Sequence, residues 1–417
     1  MKRTERLRDK LTVFLFILFI FSFGFCTIVT GYRTIGKSAI EGYKQTPDSV
    51  TERLKGFLSG AERGFNEAFF KRLLFIDVHG AVQLAFGKTI IEDVNPLNTV
   101  YKLDNGQLTF AYPKYDVSDI AGFISNFNGY LASHDIPLIY VQAPFKIPKY
   151  HYDTGVGAVD FSNINADNLL SQLDAEGVRS LDLREKIHES ETPHHEYFYN
   201  TDHHWTSGAG FWAYTKVADY ILEVTDVPLE GATITTNFSN YNVEVYPQSF
   251  LGSQGRRVGR LYAGLDDFEL ITPKFETNYI VEISTHKGSV LKRQGTFDKS
   301  LIDRSVADMG LPVSTNRYAT YLGGDYPSVK IKNLGVSEGK LLIIQDSFGL
   351  VFSPFLSLNF AETHIVDLRH RRLEILEYVA EEQFDIVIFL YNAGFYRADN
   401  MDVIKENLIC GKSELKR

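Results

Sequence analysis

The chain opens with a short basic segment that gives way to a long apolar one. Residues 1–10 contain five Lys or Arg residues, whereas Leu11–Gly31 carries no charge and is rich in Phe, Ile and Leu. A helix of about 20 apolar residues crosses a bilayer, and Lys and Arg beside it hold their end in the cytoplasm. The pattern predicts a cytoplasmic segment over residues 1–10, a transmembrane anchor over residues 11–31 and an extracytoplasmic remainder.

A cleaved signal peptide is the alternative for this segment, because it too begins with a basic region and an apolar stretch. The apolar stretch of a signal peptide has about 7 to 15 residues and is followed by a cleavage site of small residues. The present run is longer and lacks a clear A-x-A site. We therefore favour the membrane anchor.

Residues 32–74 continue with a helical pattern. Apolar residues recur near helical spacing at Val50, Leu54, Phe57, Leu58 and Phe65. Either Asp48 or Ser49 is placed to cap the start of this helix. The segment is predicted to be a helical stalk between the membrane and a folded domain.

From about residue 75 the pattern alternates between helical stretches and short apolar runs. "IAGFISNFNGYLASH" precedes "IPLIYVQAP", and "NADNLLSQLDAEGV" precedes "RSLDLRE". Late in the chain "KLLIIQDSFG", "ETHIVDLRH" and "FDIVIFLYNAG" supply three more apolar runs, with the helical "RRLEILEYVAEE" between the last two. This alternation is typical of an α/β domain with an open parallel sheet and flanking helices, which we assign to residues 75–417.

The stretch from about residue 225 to 335 breaks this rhythm. It is rich in Gly, Tyr and Thr and contains alternating β-branched residues, as in "NYIVEISTHKG", without strong helical periods. We predict a β-rich insertion over residues 225–335, in the form of an antiparallel extension near the functional site.

Composition excludes several classes of protein. The chain has 417 residues, of which 44% are hydrophobic, so it can bury a large core. Its 43 Lys and Arg against 52 Asp and Glu give a net charge of -9, which offers no electrostatic footprint for nucleic acid. The cysteines, Cys26 in the apolar run and Cys410 near the end, allow neither a disulfide within the domain nor a zinc site built on thiolates.

The segment "LLIIQDSFGL" places reactive groups at the end of a strand. An apolar run ends in Gln345, Asp346 and Ser347, and Gly349 permits a close turn. In open α/β sheets ligands bind beyond the carboxyl ends of the strands. We expect Ser347 to be exposed at the head of a helix, where backbone N–H groups can stabilise an oxyanion. Helix capping by Ser347 or Asp346 is the alternative.

The segment "YFYNTDHHWTSGAG" could supply a base for that serine. A nucleophilic serine needs a base to take its proton, and the base needs an acid to orient it. Asp202 and His204 offer this pair just before a helical stretch, whereas His203 between them is expected to point away. The alternative is a purely structural role, in which Thr201 or Asp202 caps the helix and Trp205 packs in the core. A metal site is disfavoured because the H-x-x-x-H spacing that aims two imidazoles at one ion is absent.

"TDHHWT" and "IQDSFG" together resemble the DHHW family, relatives of the alginate O-acetyltransferases AlgX and AlgJ with an SGNH-hydrolase-like fold. The resemblance extends over about residues 75–395 through "VQAPFK", "YATYLGGDYPSVKIKN" and "SPFLSLNFAETHIVDLRH". It implies Ser347 as nucleophile, His204 as base and Asp202 as its partner. Gln345 replaces the glycine usual in a G-D-S block.

The family's oxyanion asparagine has no certain counterpart. Asn392 in "FLYNAG" is our candidate, because its side-chain amide could donate to an oxyanion, although an ordinary turn asparagine would look the same. Arg369, His203 and Lys146 are further candidates for substrate binding. For Arg369, pairing with Asp367 within the fold is an equal alternative, and Lys146 is similarly ambiguous.

These observations lead to an expected function. We expect a serine-dependent O-acyltransferase, without cofactor or metal, that acetylates a cell-surface or secreted polysaccharide. The resemblance further suggests a membrane-bound O-acyltransferase as a partner that supplies acetyl groups. An esterase with the same three residues and a non-catalytic cell-envelope assembly protein are the alternatives.

Overall fold

The computed structural model describes residues 2–46, 49–150, 157, 159–371, 373–396, 400 and 403. Asp48 and Cys410, both considered above, lie outside the described residues. The chain forms two compact units that divide after Ala81.

The helices are α1 Lys2–Lys44, α2 Val50–Glu67, α3 Arg72–Ala85, α4 Ser118–Ala132, α5 Ser162–Ala175, α6 Leu183–His188, α7 Ser207–Val224, α8 Ala232–Thr235, α9 Gly255–Val258, α10 Arg260–Ala263, α11 Phe297–Leu301, α12 Arg304–Ala307, α13 Gly349–Leu356 and α14 Ile375–Glu382. The strands are β1 Ile90–Ile91, β2 Val100–Lys102, β3 Leu108–Thr109, β4 Leu138–Ala143, β5 Arg179–Asp182, β6 Tyr241–Phe250, β7 Asp266–Pro273, β8 Tyr279–Ser284, β9 Val290–Gly295, β10 Ser328–Asn333, β11 Lys340–Gln345, β12 Glu362–Val366 and β13 Ile386–Asn392.

The first unit is a helical hairpin. α1 is long and apolar enough, within Asp9–Lys44, to cross a membrane. It does not stop at the end of the apolar run but continues to Lys44, where the chain turns and α2 packs back along it. The domain boundaries drawn from the sequence remain predictions.

The second unit is built on an eight-stranded sheet in the order β5-β4-β13-β11-β12-β10-β8-β9. The first five strands are mutually parallel, and they are the five apolar runs identified in the sequence. The last three are antiparallel and extend the same sheet. The predicted α/β class with an open parallel sheet and flanking helices is confirmed.

Strand alternation divides the core into two layers. In β11, Leu341 and Ile343 pack into one cluster with residues of α7 and α13, whereas Leu342 and Ile344 pack into another with residues of α4, α5 and α14. Because both faces are covered, the central strands are apolar almost throughout. In β11 and β13 the polar side chains therefore lie at the strand ends, whereas β12 keeps Thr363 and His364 buried within it.

The region predicted to be a β-rich insertion supplies two different structures. β8, β9 and β10 form the antiparallel edge of the large sheet, whereas β6 and β7 pair only with each other. Short helical turns, including α9 and α12, connect these strands. The segment is thus partly an extension of the central sheet.

Candidate active site

The carboxyl ends of β11 and β13 meet at one edge of the sheet. Asp346 and Ser347 follow β11, and Asn392 ends the neighbouring β13. The turn after Ser347 is tight: a Cβ added to Gly349 would lie 2.0 Å from Oε1 of Gln345. The Gln345 amide fills that space and accepts a hydrogen bond from Ser353 Oγ. Gln345, which departs from the family pattern, thus packs beneath the turn.

Ser347 is buried, with 7% of its surface exposed, so the expectation of an exposed serine is wrong. The reason is that the His204 imidazole lies on it. Its side chain does not cap a helix, because Ser347 Oγ is 2.7 Å from His204 Nε2. α13 instead begins after Phe348, whose side chain makes no capping bond.

Asp202 completes a hydrogen-bonded chain with His204 and Ser347. His204 Nδ1 is 2.5 Å from Asp202 Oδ1, which also accepts the backbone N–H of His204 at 3.1 Å. The second carboxylate oxygen, Oδ2, accepts the backbone N–H of Ser253 at 2.6 Å. A carboxylate on Nδ1 places the proton there, so Nε2 is left to accept the hydroxyl proton of Ser347.

The capping alternative for this motif is wrong. Thr206 is the N-cap of α7, where its Oγ1 accepts the backbone N–H of Ala209. Thr201 Oγ1 donates to Asp266 Oδ2 at 2.6 Å and so braces the motif against β7. Trp205 is fully buried, and its Nε1 donates to Phe348 O, which ties the motif to the turn that carries Ser347.

His203 does not point away from the other two residues, contrary to the sequence expectation. Its ring packs on the His204 ring with centroids 3.7 Å apart. The backbone here is a bend closed by the Asp202 carboxylate, so the alternation of extended chain does not apply. His203 Nδ1 faces Ser253 Oγ at 2.7 Å, and the side chain is partly exposed.

A tyrosine covers the opposite face of the base. The Tyr318 ring stacks on His204 with centroids 3.9 Å apart and an interplanar angle of 9°. Tyr318 is fully buried, and its hydroxyl donates to Phe348 O at 3.1 Å and accepts from Trp205 Nε1 at 3.0 Å. The base is therefore fixed between two rings.

Burial and charge set the protonation of this group. Burial alone would raise the pKa of Asp202, but the two neighbouring imidazoles and its hydrogen bonds hold that pKa well below its usual range. Although part of the His203 side chain reaches solvent, desolvation of its ring by the surrounding protein, together with His204, lowers the pKa of His203 to about 3. Asp202 is therefore a carboxylate and His203 a neutral imidazole at neutral pH.

Two hydrogen-bond donors that could stabilise an oxyanion lie at or beside Ser347. Among the described residues, no acceptor faces the backbone N–H of Ser347. Asn392 Nδ2 donates one hydrogen to Asp346 Oδ2 at 2.7 Å, and an amide nitrogen carries a second hydrogen. Asn392 Oδ1 accepts the N–H of Gly394, as in an ordinary asparagine turn. Both interpretations of Asn392 fit this geometry.

The other two candidates are held by the fold. Arg369 forms a bidentate pair with Asp367, with Nη2 2.6 Å from Oδ2. Lys146 is buried, and its Nζ donates to Leu108 O, Asn200 O and Gln254 Oε1 at 2.6 to 3.1 Å. Because an ammonium group has three hydrogens, these acceptors use them all. The structure thus favours the packing alternative for Lys146.

A metal would have to compete with these hydrogen bonds. Asp202, His203 and His204 do offer ligand atoms within 4.8 Å of one another. However, both nitrogens of His204 and Nδ1 of His203 already face Asp202, Ser347 and Ser253. The geometry is that of a proton-transfer chain.

Sequence reasoning missed Ser253 and Tyr318. Both come from the region treated as an insertion: Ser253 lies 47 residues after the "TDHHWT" motif, and Tyr318 lies 26 residues before the "IQDSFG" motif. Their segments, "LGSQG" and "YATYLGG", contain glycines that mark close approaches, but nothing in them identifies the partner. Gly252 is the clearest sign in the sequence of a close contact with the motif, since a Cβ there would lie 2.2 Å from Cβ of Asp202.

Comparison with known proteins places this geometry in a family context. The family model described as the SGNH hydrolase-like domain of the acetyltransferase AlgX matches residues 113–246, and the DHHW protein model matches residues 184–366. The chain resembles both of these families. The DHHW match includes Asp202, His204 and Ser347, so the resemblance found from the motifs is confirmed. No curated protein sequence matches the chain.

Solved structures share the fold. Bacillus cereus PatB1, determined with a sulfonyl adduct, is 19% identical with a TM-score of 0.61, over 76% of this chain and 100% of that one. A DHHW family protein from Eubacterium siraeum is 20% identical with a TM-score of 0.58, over 77% of this chain and 99% of that one. Together with the match to the SGNH hydrolase-like domain of AlgX over residues 113–246, this places the α/β domain in an SGNH-hydrolase-like fold.

Proposed function

We propose that the protein is a serine-dependent O-acyltransferase that moves acetyl groups onto a polysaccharide outside the cytoplasm. The observation that carries this proposal is the unbroken chain of hydrogen bonds from Asp202 through His204 to Ser347. A match to the acetyltransferase AlgX domain supports the type of group transferred. The same three residues with water as acceptor would make an esterase.

The first half of the reaction acylates the serine. Ser347 Oγ attacks the carbonyl carbon of an acyl donor while His204 Nε2 takes its proton. The Asp202 carboxylate holds the Nδ1–H and stabilises the imidazolium that forms. As the tetrahedral intermediate collapses, His204 gives the proton to the leaving group, and acetyl-Ser347 remains.

The charge on the intermediate requires donors at the turn. The free backbone N–H of Ser347 is the first candidate, and the second hydrogen of Asn392 Nδ2 is the other. Fixed donors aimed at a developing oxyanion each contribute about 10² to 10³ in rate.

The second half transfers the acetyl group to a hydroxyl. His204 takes the proton of an acceptor hydroxyl, which attacks acetyl-Ser347 and releases the serine with that proton. All three residues are nearly inaccessible to solvent, with 1 to 7% of their surface exposed. A buried triad favours a bound sugar hydroxyl over bulk water as acceptor.

The location follows from the anchor. With residues 1–10 in the cytoplasm and α1 across the bilayer, the α/β domain faces outward. Acetyl groups would then have to be supplied across the membrane. We propose a membrane-bound O-acyltransferase as the source, and its deletion should abolish acetylation of the polysaccharide.

The test measures acetyl transfer and hydrolysis side by side. The purified full-length protein is given p-nitrophenyl acetate with and without a soluble oligosaccharide acceptor, and acetate and acetylated sugar are quantified. The proposal predicts that the acceptor diverts acetyl groups from acetate to sugar, and that Ser347→Ala abolishes both products. Acetate as sole product would identify an esterase, and turnover by Ser347→Ala would contradict both.

A further inference from the structure

The α1–α2 hairpin is packed through small residues along its whole length. A Cβ added to Gly42 would lie 2.1 Å from Gly56 O, and one on Gly60 would lie 2.2 Å from Ser38 O. At the far end, a Cβ on Gly31 would lie 2.4 Å from Cβ of Ala68. The pairing brings the end of α2 level with the end of the apolar run at Gly31.

The chain continues past that level and runs beside the apolar part of α1. The backbone N–H of Phe70, which lies between α2 and α3, donates to Thr27 Oγ1 at 3.0 Å. Thr27 is fully buried, and its hydroxyl in turn donates to Phe23 O. Within a bilayer, a backbone N–H outside a helix must find such a partner, and serine and threonine of neighbouring helices supply it.

Aromatic contacts extend the association further along α1. The Phe23 ring lies 6.0 Å from Phe70 and 5.2 Å from Phe75, and Phe19 lies 6.5 Å from Phe75. At 1.5 Å rise per residue, Phe23 is about 12 Å and Phe19 about 18 Å from Gly31 along the helix axis. These contacts therefore lie well inside the apolar run.

The surface that faces away from α1 is also apolar. Leu74 is 55% exposed and Val78 54% exposed, and Leu73 is exposed as well. The single acidic residue of this stretch, Asp77, is buried. Lys71 and Arg72 precede the apolar side chains, as basic residues do in helices that bind a lipid surface.

We infer that residues 69–78, the Phe69–Val78 segment, insert into the outer half of the bilayer that α1 crosses, with Leu73, Leu74 and Val78 in contact with acyl chains. The lipid is the occupant because the segment is continuous with the proposed span and contacts it at membrane depth. The anchor is then a span plus an inserted segment, which restricts the tilt of the hairpin at the membrane surface. This inference depends on the proposed transmembrane position of α1.

The test places a tryptophan at defined depths in the full-length protein. Leu74→Trp is reconstituted into phosphatidylcholine vesicles containing phosphatidylglycerol, with or without lipids brominated on their acyl chains, which quench nearby tryptophan. The native Trp205 and Trp212 provide a background that is measured on the unmodified protein. Leu74→Trp should lose as large a share of its added emission as Phe21→Trp, a variant in the apolar run.

Leu54→Trp is the matched control. Leu54 is 57% exposed on the same hairpin but lies near Gly56, which packs against Gly42, about 16 Å beyond Gly31 along α1. Its emission should be unaffected by brominated lipid. If Leu74→Trp behaves like Leu54→Trp while Phe21→Trp is quenched, the inference is wrong and the span stands. If Phe21→Trp is also unquenched, the span itself is wrong. Val78→Trp repeats the test should Leu74→Trp fail to fold.

Discussion

His204 is held more tightly than its hydrogen bonds alone would require. Asp202 fixes the tautomer, whereas the stacked ring of Tyr318 and the tilted ring of His203 fix the plane of the imidazole. The His204 imidazole is therefore already oriented for proton transfer from Ser347. The His203 and Tyr318 rings are therefore expected to increase the rate by holding the His204 imidazole in position.

The two adjacent histidines should differ sharply on substitution. His204→Ala should lower acyl transfer by about 10² to 10⁴ or more, the usual contribution of a general base, and Asp202→Asn should also be severe. His203→Ala should cost much less. Because the pKa of His203 is lowered to about 3, this residue stays neutral above that pH, and its replacement should leave the pH dependence of kcat/KM between pH 5 and 8 unchanged.

Steady-state kinetics from pH 5 to 8 check this prediction, with and without a chelator. Chelation should leave the activity unchanged. The account would be contradicted by an inactive His203→Ala alongside an active His204→Ala, or by zinc restoring activity that a chelator had removed.

Tyr318 is predicted to act as a positioning residue. Tyr318→Phe keeps the stacked ring but loses the bonds to Phe348 O and Trp205 Nε1, so kcat should fall by less than about tenfold. Tyr318→Leu also loses a ring beside the imidazolium, an interaction of about 1 to 2 kcal/mol, and kcat should fall roughly 5- to 30-fold with KM unchanged. Equal losses in both variants, or a change confined to KM, would exclude this role.

Lys146 should matter for stability and not for substrate binding. Lys146→Met removes the ammonium donor from two buried acceptors, Leu108 O and Gln254 Oε1, whereas Asn200 O keeps the backbone N–H of Leu108; the net cost should be about 2 to 4 kcal/mol in the free energy of unfolding. Denaturant unfolding measures the loss, and KM of the folded variant should match that of the wild type. A raised KM with unchanged stability would revive the substrate-binding alternative.

Sequence reasoning at the residue scale identified the triad but not its surroundings. Short motifs contain Asp202, His204 and Ser347, and the residue types in these motifs suggest an acid, a base and a nucleophile. The side on which His203 lies depends on a bend that the Asp202 carboxylate itself closes. Tyr318 carries no local signal, because its partner is 114 positions away and is brought to it only by tertiary folding.

The element that places the acid is the short loop between β6 and α9. Gly252 lies against Asp202, and the backbone N–H of Ser253 holds Asp202 Oδ2. The same serine side chain contacts His203. This loop therefore positions the acid and, through it, the base, although it lies about 50 residues from the motif in sequence.

Gly252→Ala should impair catalysis without unfolding the domain. The added methyl group would overlap Asp202 and displace its carboxylate from His204, and a misplacement of about 1 Å costs about 10² in rate. Kinetics and thermal unfolding check this. Gly122→Ala is the control: nothing lies within 4 Å of its Cβ in α4, so it should leave kcat unchanged and stabilise by about 0.5 to 1 kcal/mol. Wild-type kcat in Gly252→Ala would contradict the packing argument.

The elements themselves were predictable to different degrees. Three of the five parallel strands, β4, β11 and β13, are nearly continuous apolar runs because both faces of the sheet are covered, and the sequence shows them directly. The edge strand β5 has a single buried residue, and its signal is weaker. β8, β9 and β10 were predicted only as an antiparallel extension. Their pairing order depends on contacts with β12, and no local pattern encodes that register.

At the scale of the whole molecule, the sheet brings distant segments to one edge. The acid and base follow β5 in the chain, the nucleophile follows β11, and Asn392 ends β13. The fold class and the motifs were accessible from sequence, whereas the hairpin of α1 and α2 was not, because a helical period does not reveal that the chain turns back. The proposed membrane contact of the Phe69–Val78 segment could be inferred only from that hairpin.

The most direct test of the account is covalent labelling of the intact protein. A serine-directed sulfonyl fluoride is applied to the full-length chain, and the modified peptide is identified by mass spectrometry. The account predicts one label on the peptide containing Ser347, no label in Ser347→Ala and slow labelling in His204→Ala. Labelling should be normal in Ser337→Ala, an exposed serine that precedes β11, whereas Ser347 follows that strand. A label that persists in folded Ser347→Ala at the wild-type rate would contradict the central claim that Ser347 is the nucleophile.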